Sequence, residues 1–211
     1  MSMEWRPALL ALRSIQRVPA RYLPLLGILV GAIGGGIYWL AAQLWPTSVA
    51  VVLAMLATVL TTASSSQSSS KGPGPIYWVF VLLIKYSALM ALSAARAPFP
   101  LPENLTLGLI MVAGHATSRA LLVSVMATHA RAATRVTATD LGVALGLGLA
   151  PAALLGIPGL IGLAAAIVMR LVLGAYAFPK LTGEFPERLD VTQQLTETCF
   201  YLGALATWKY V

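Results

Sequence analysis

Apolar residues along this chain come in long runs, separated by short polar stretches, with neither the alternation of a half-buried strand nor the stripe of a surface helix. Crossing roughly 30 Å of hydrocarbon takes about 20 mostly apolar residues as a helix. Seven stretches approach that length: 22–45, 49–63, 76–95, 105–128, 141–157, 159–178 and 189–208. The second and fifth are short. Run 22–45 is too long for the core of a signal peptide, and no cleavage site follows it, so it counts as a span. No two stretches are alike enough to be an internal repeat.

Composition supports the same reading. Of 211 residues, 58% are apolar and 10% charged, and mean hydropathy is +0.82. So few charges cannot cover a water-facing surface. A soluble enzyme, a disordered tail and a disulfide-stapled secreted domain are excluded, and Cys199 has no second cysteine to pair with. The pattern predicts an all-α fold: a polytopic integral membrane helical bundle of about seven transmembrane helices, forming one domain over residues 1–211.

Net charge is +7, which in a soluble protein would hint at nucleic acid. Here it sorts by side. Arg6, Arg13, Arg17, Arg21, Lys71, Arg131, Arg135, Lys180 and Arg188 fall on one side, and only Arg96 and Lys209 on the other. Nine cations against two predict a cytoplasmic N-terminus and an inner-membrane, multi-pass protein that binds no nucleic acid. Trp39, Trp45, Trp78 and Trp208 lie near span ends, where amphipathic rings favour the interface. Residues 1–21 read as an interfacial cytoplasmic segment, with 3–18 able to lie along the surface. Gly27, Gly31 and Gly35 repeat every four residues and suit close helix packing. Residues 64–75 (SSSQSSSKGPGP) read as a Ser/Gly/Pro linker.

Ionisable residues inside spans are costly and mark function by default. Counted from the cytoplasmic end of each span, Lys85, Arg119, Arg170 and Glu197 all fall eight or nine residues deep, roughly 12–14 Å at the helical rise. His115 lies one turn beyond Arg119. This common level predicts a wet, electropositive cavity open to the cytoplasm and suited to phosphates. Other readings stay open: Arg170 snorkelling to headgroups, Lys85 and Glu197 as a structural ion pair, His115 as a core histidine, and Gln193 and Gln194 as interhelical glue.

The segments carrying these residues resemble the cobalamin (5'-phosphate) synthase family, also called adenosylcobinamide-GDP ribazoletransferases. Arg17-Val18-Pro19 followed by Tyr22-Leu23-Pro24-Leu25-Leu26-Gly27 is similar to the family's opening. Residues 81–89 (VLLIKYSAL) resemble the helix with its intramembrane lysine, Ser118-Arg119 its later Ser-Arg pair, and 193–205 (QQLTETCFYLGAL) its final helix. These stretches cover about half the chain, in the family's order.

The resemblance implies a transferase that joins alpha-ribazole, or its 5'-phosphate, to adenosylcobinamide-GDP and releases GMP with the help of Mg²⁺. It implies Lys85, Arg119 and Glu197 as catalytic, and Arg170, His115 and Gln193 as substrate-binding. The implied partners are the bilayer and the corrinoid-GDP and ribazole substrates, with a homo-oligomer left open. Departures fall in the loops. The family's acidic loop (HxDGxxDxxDG) is replaced by SSSQSSSKGPGP, and its later Asp-bearing turn by Thr182-Gly183-Glu184-Phe185-Pro186-Glu187. Glu184, Glu187 and Asp190 are then the carboxylates left for a metal. Spans kept and loops trimmed describe a degenerate or engineered member. The competing reading is a non-catalytic membrane scaffold that keeps the fold without the metal site. No zinc spacing, nucleophile triad or nucleotide-binding glycine motif is present.

Overall fold

The computed structural model describes residues 19–63, 74–95, 102–128, 136–177 and 185–208. Among them there are seven main helices and no strand: α1 Leu23–Ala41, α2 Thr47–Ala63, α3 Pro75–Ala94, α4 Glu103–Thr128, α5 Ala138–Leu154, α6 Gly156–Val172 and α7 Phe185–Trp208. A 3-10 turn, Ala20–Tyr22, leads into α1, and a π turn, Leu173–Ala177, continues α6. The expected surface segment 3–18, most of the 64–75 linker and Glu184 lie outside the described residues.

Each of the seven apolar runs is a helix, and local chemistry moves the ends. α5 starts three residues before its apolar run because Thr137 and Asp140 form a reciprocal capping box, which satisfies donors that a helix start leaves open. α5 and α6 are separated by Leu155 alone, since Gly156 takes φ +62°, a conformation glycine adopts without steric cost. α7 starts at Phe185, four residues earlier than the apolar pattern indicated, with Pro186 in its first turn, where its missing N–H costs no hydrogen bond. Glu187 and Asp190 are therefore helical residues, not loop residues.

Among the described residues, four helices are long and apolar enough to cross a membrane: Ala20–Ala41, Pro75–Ala94, Leu105–Thr128 and Gly156–Ala175. Two more, Thr47–Thr62 and Ala138–Leu154, are apolar but shorter. α7 has the length, at 24 residues, but it carries Thr192, Gln193, Thr196, Glu197 and Thr198 into the interior. Large apolar side chains point the other way, with Leu44 74% and Leu154 84% exposed. A bundle that buries polar residues and shows leucine outside is built for lipid. The threonines of α7 satisfy themselves: Thr192 donates to the Arg188 carbonyl at 2.8 Å and Thr196 to the Thr192 carbonyl at 2.7 Å.

α4 is the central helix. Its apolar window is 72% buried, against 28–39% for the other three long spans. α1 lies directly on it: a Cβ at Gly31 would meet Val112 Cα at 2.5 Å, one at Gly35 would meet Gly108 Cα at 2.7 Å, and one at Gly27 would run into the His115 carbonyl. The glycine stripe thus does what its spacing predicted, bringing two backbones together where no side chain fits. Gly162 and Gly203 do the same for α6 and α7. Of the four tryptophans near span ends, Trp39 and Trp45 are exposed as interfacial rings should be, but Trp208 is buried in the core at 2% exposure. It packs inside rather than anchoring to the interface.

Candidate functional site

α7 sets out the site by periodicity. Gln194, Glu197 and Tyr201 are spaced by three and four residues, which puts them on one face. Glu187 and Asp190 continue the same face toward the helix start. α3 turns Lys85 toward this face, and α4 brings His115 and Arg119, four residues apart, from the third side.

Lys85 Nζ donates to Glu197 Oε1 at 2.9 Å and to Gln194 Oε1 at 2.8 Å. Tyr201 donates its hydroxyl to the same Glu197 oxygen at 3.0 Å. Lys85 is 3%, Glu197 0% and His115 2% exposed. Removing two opposite charges from water costs several kcal/mol per ion, which only close contact and further hydrogen bonds offset. Gln194 and Tyr201 supply those bonds. The common level of these residues is therefore real, but they form a packed cluster instead of the wet cavity that depth alone suggested. Of the open alternatives, Lys85 and Glu197 do form an ion pair.

The other carboxylate oxygen is less settled. Glu197 Oε2 lies 3.2 Å from His115 Nδ1, yet the pair is outside hydrogen-bonding alignment, and neither atom has a hydrogen-bond partner. Buried polar atoms are nearly always paired, so this close but unmade hydrogen bond is unusual. Arg119 is half-buried one turn along α4 and feels the Glu197 charge.

Arg170 lies elsewhere. Its Nε donates to Ser124 Oγ at 2.9 Å, and one terminal nitrogen reaches the Ser124 carbonyl at 3.0 Å and Thr128 Oγ1 at 3.1 Å. Ser124 is five residues nearer the end of α4 than Arg119, roughly 7 Å along the axis. Arg170 therefore ties α6 to the last turn of α4, where a cation also meets the negative end of the helix dipole. Gln193 is buried beside the cluster, but Gln194 is the glutamine that holds Lys85. Sequence reasoning left Gln194 and Tyr201 out of the site. Their positions three before and four after Glu197 were the available signal.

Among the described residues, no three His, Cys, Asp or Glu side chains gather to hold a metal ion. Glu187 and Asp190 are half-buried, one turn apart at the start of α7.

Comparison with known proteins places this arrangement. Residues 6–64 match the family model described as cobalamin-5-phosphate synthase. An adenosylcobinamide-GDP ribazoletransferase of Ralstonia nicotianae is 31% identical over 225 positions, covering 90% of this chain and 84% of that protein. One from Leptothrix cholodnii is also 31% identical, over 89% of this chain and 84% of its own length, and one from Ralstonia pickettii is 29% identical over the same shares. Both 31% matches extend over more positions than the 211 residues of this chain, so those relatives carry segments that are absent here. No solved structure matches. With nine-tenths of its length aligned to such proteins, and its buried lysine and glutamate and half-buried arginine on the helices the motifs indicated, the chain belongs to the adenosylcobinamide-GDP ribazoletransferase family.

Proposed function

We propose that this protein is itself an adenosylcobinamide-GDP ribazoletransferase of a bacterial inner membrane. It joins alpha-ribazole or its 5'-phosphate to the GDP-activated corrinoid and releases GMP. The observation that carries the reading is the buried cluster on α3, α4 and α7: Lys85 on Glu197 at 2.9 Å, with His115 and Arg119 beside it. Charges buried in membrane helices are costly and mark function by default. The scaffold alternative has no observation of its own in its favour.

Mg²⁺ requires few protein ligands when substrate phosphates and water fill the remaining positions, and one or two carboxylates are enough. Glu187 and Asp190, on one face of α7, fit that minimum, with Glu184 as a third candidate. When bound there, the metal would neutralise phosphate charge. The chain's own cations share that task, and α7 leads from the two carboxylates to Glu197 along a single face.

Complementation decides the reading. Expressed in a bacterium lacking its own synthase and supplied with cobinamide, the chain restores cobalamin formation, and membranes containing it release GMP in a Mg²⁺-dependent way. A well-folded chain that does neither overturns the proposal. Without substrate, calorimetry in detergent should find only weak Mg²⁺ binding, because two or three carboxylates replace little of its hydration.

A further inference from the structure

Lys85, Arg119 and Arg170 are the cations set deep within the apolar spans, and two of them are already committed. Lys85 is held by Glu197 and Gln194. Arg170 spends its donors on Ser124 and Thr128 at the end of α4. Arg119 differs. It is half-buried, and among the described residues it makes no hydrogen bond or ion pair. Glu197 is near enough to act on it electrostatically, but that carboxylate already accepts from Lys85 and Tyr201.

Formal charge sharpens the contrast. Lys85, Arg119 and Glu197 together carry one excess positive charge, and it falls on the guanidinium. An uncompensated cation inside a membrane bundle is unfavourable, and an arriving anion removes that cost.

We infer that Arg119, alone among the three, is the group that binds the substrate's phosphates, the diphosphate of a nucleoside diphosphate ester. This rests on the proposed function for the identity of that ester. A guanidinium presents N–H donors in a fixed fork, so two phosphate oxygens bind side by side, which a lysine cannot match. Lys85, Gln194 and Tyr201 act as positioning residues. By engaging Glu197 they keep it from neutralising Arg119, so the fork stays available. Lys85→Met should therefore do more than remove a charge: it frees Glu197 to pair with Arg119 and shuts the site. Lys85→Met with Glu197→Gln should reopen it.

The test is GDP binding to the full-length protein in nanodiscs, followed by calorimetry, with melting temperature as the check on folding. Arg119→Ala should weaken GDP about tenfold to a hundredfold, the range for a lost charged hydrogen bond. Arg119→Lys should fall between, and it carries the test if the alanine variant does not fold. Lys85→Met should weaken GDP, while Lys85→Met/Glu197→Gln and Arg170→Ala should stay within about threefold of the parent. Absence of GDP binding by the parent, undiminished binding by Arg119→Ala, or equal losses in Arg170→Ala and the double variant would each overturn the assignment. Arg119-dependent GDP binding in a chain that fails to restore cobalamin synthesis leaves this site standing and sinks the transferase reading alone.

Discussion

A methyl group at Gly114 would lie 2.5 Å from Tyr201 Cε1 and 2.9 Å from the Tyr201 hydroxyl oxygen. The tyrosine ring thus occupies the space that glycine leaves on α4, and from there its hydroxyl reaches Glu197 at 3.0 Å. The neighbouring Phe200 ring stands edge-on to it, with centroids 6.0 Å apart. A residue without a side chain on one helix thereby sets the second hydrogen bond of a buried carboxylate on another.

Gly114→Ala should therefore destabilise the protein by about 1–3 kcal/mol, the usual range for overpacking, and cost part of its activity. Gly146→Ala, on α5 with open space where its Cβ would go, serves as the control and should melt like the parent. Equal melting temperatures for the two variants would show that Tyr201 is not held by this contact.

Glu197→Gln leaves Lys85 buried against a neutral partner and should cost about 3–5 kcal/mol, as breaking a buried pair does. Removing both charges in Lys85→Met/Glu197→Gln should cost clearly less, since no buried ion is stranded. Thermal unfolding of the single and double variants in the same detergent measures the difference. A double variant that melts below the single one would contradict this account.

Arg170→Ala removes donors from the Ser124 carbonyl and from the hydroxyls of Ser124 and Thr128. The expected loss is about 1–3 kcal/mol, concentrated at the end of α4. Hydrogen exchange should quicken for the last turn of α4 while its middle, around His115, stays protected.

Asp140 lies in the exposed first turn of α5, ahead of its apolar stretch. Hydrogen bonds from the Thr137 hydroxyl and backbone N–H, helped by Arg21 at 3.8 Å, hold its carboxyl below the usual aspartate range. A carboxyl with a lowered folded-state pKa is more acidic folded than unfolded, so the unfolded chain binds the extra proton. The stabilisation is complete above the ordinary aspartate value and is lost as pH falls through the lowered one. Amide exchange at the start of α5 should therefore speed up below about pH 4. In Thr137→Ala this dependence should largely vanish.

The charge asymmetry predicts that segments 64–75, 129–140 and 179–188 face the cytoplasm. In a Cys199→Ser background, single cysteines placed there should resist an impermeant thiol reagent added to intact cells. Labelling from outside would reverse the orientation.

The seven helices were legible because lipid imposes a length and a composition that few other environments demand, and the Gly27, Gly31 and Gly35 stripe was legible because its period is that of a helix face. Counting along each span put Lys85, Arg119 and Glu197 at one depth and His115 a turn beyond Arg119, which was enough to group them. Counting gives the depth of the backbone and not of a side-chain tip, and so Arg170, counted to the common level, instead reaches Ser124 and Thr128 near the end of α4, while the early start of α7 makes Glu187 and Asp190 helical residues. What only the tertiary structure decided is which cation meets which acceptor. Helical periodicity gives a residue's level and face but not its neighbour across an interface, and that neighbour commits Lys85 to Glu197 and Gln194, commits Arg170 to Ser124 and leaves Arg119 open. Trp208 makes the same point: its position at a span end suggested the interface, and packing between helices buried it.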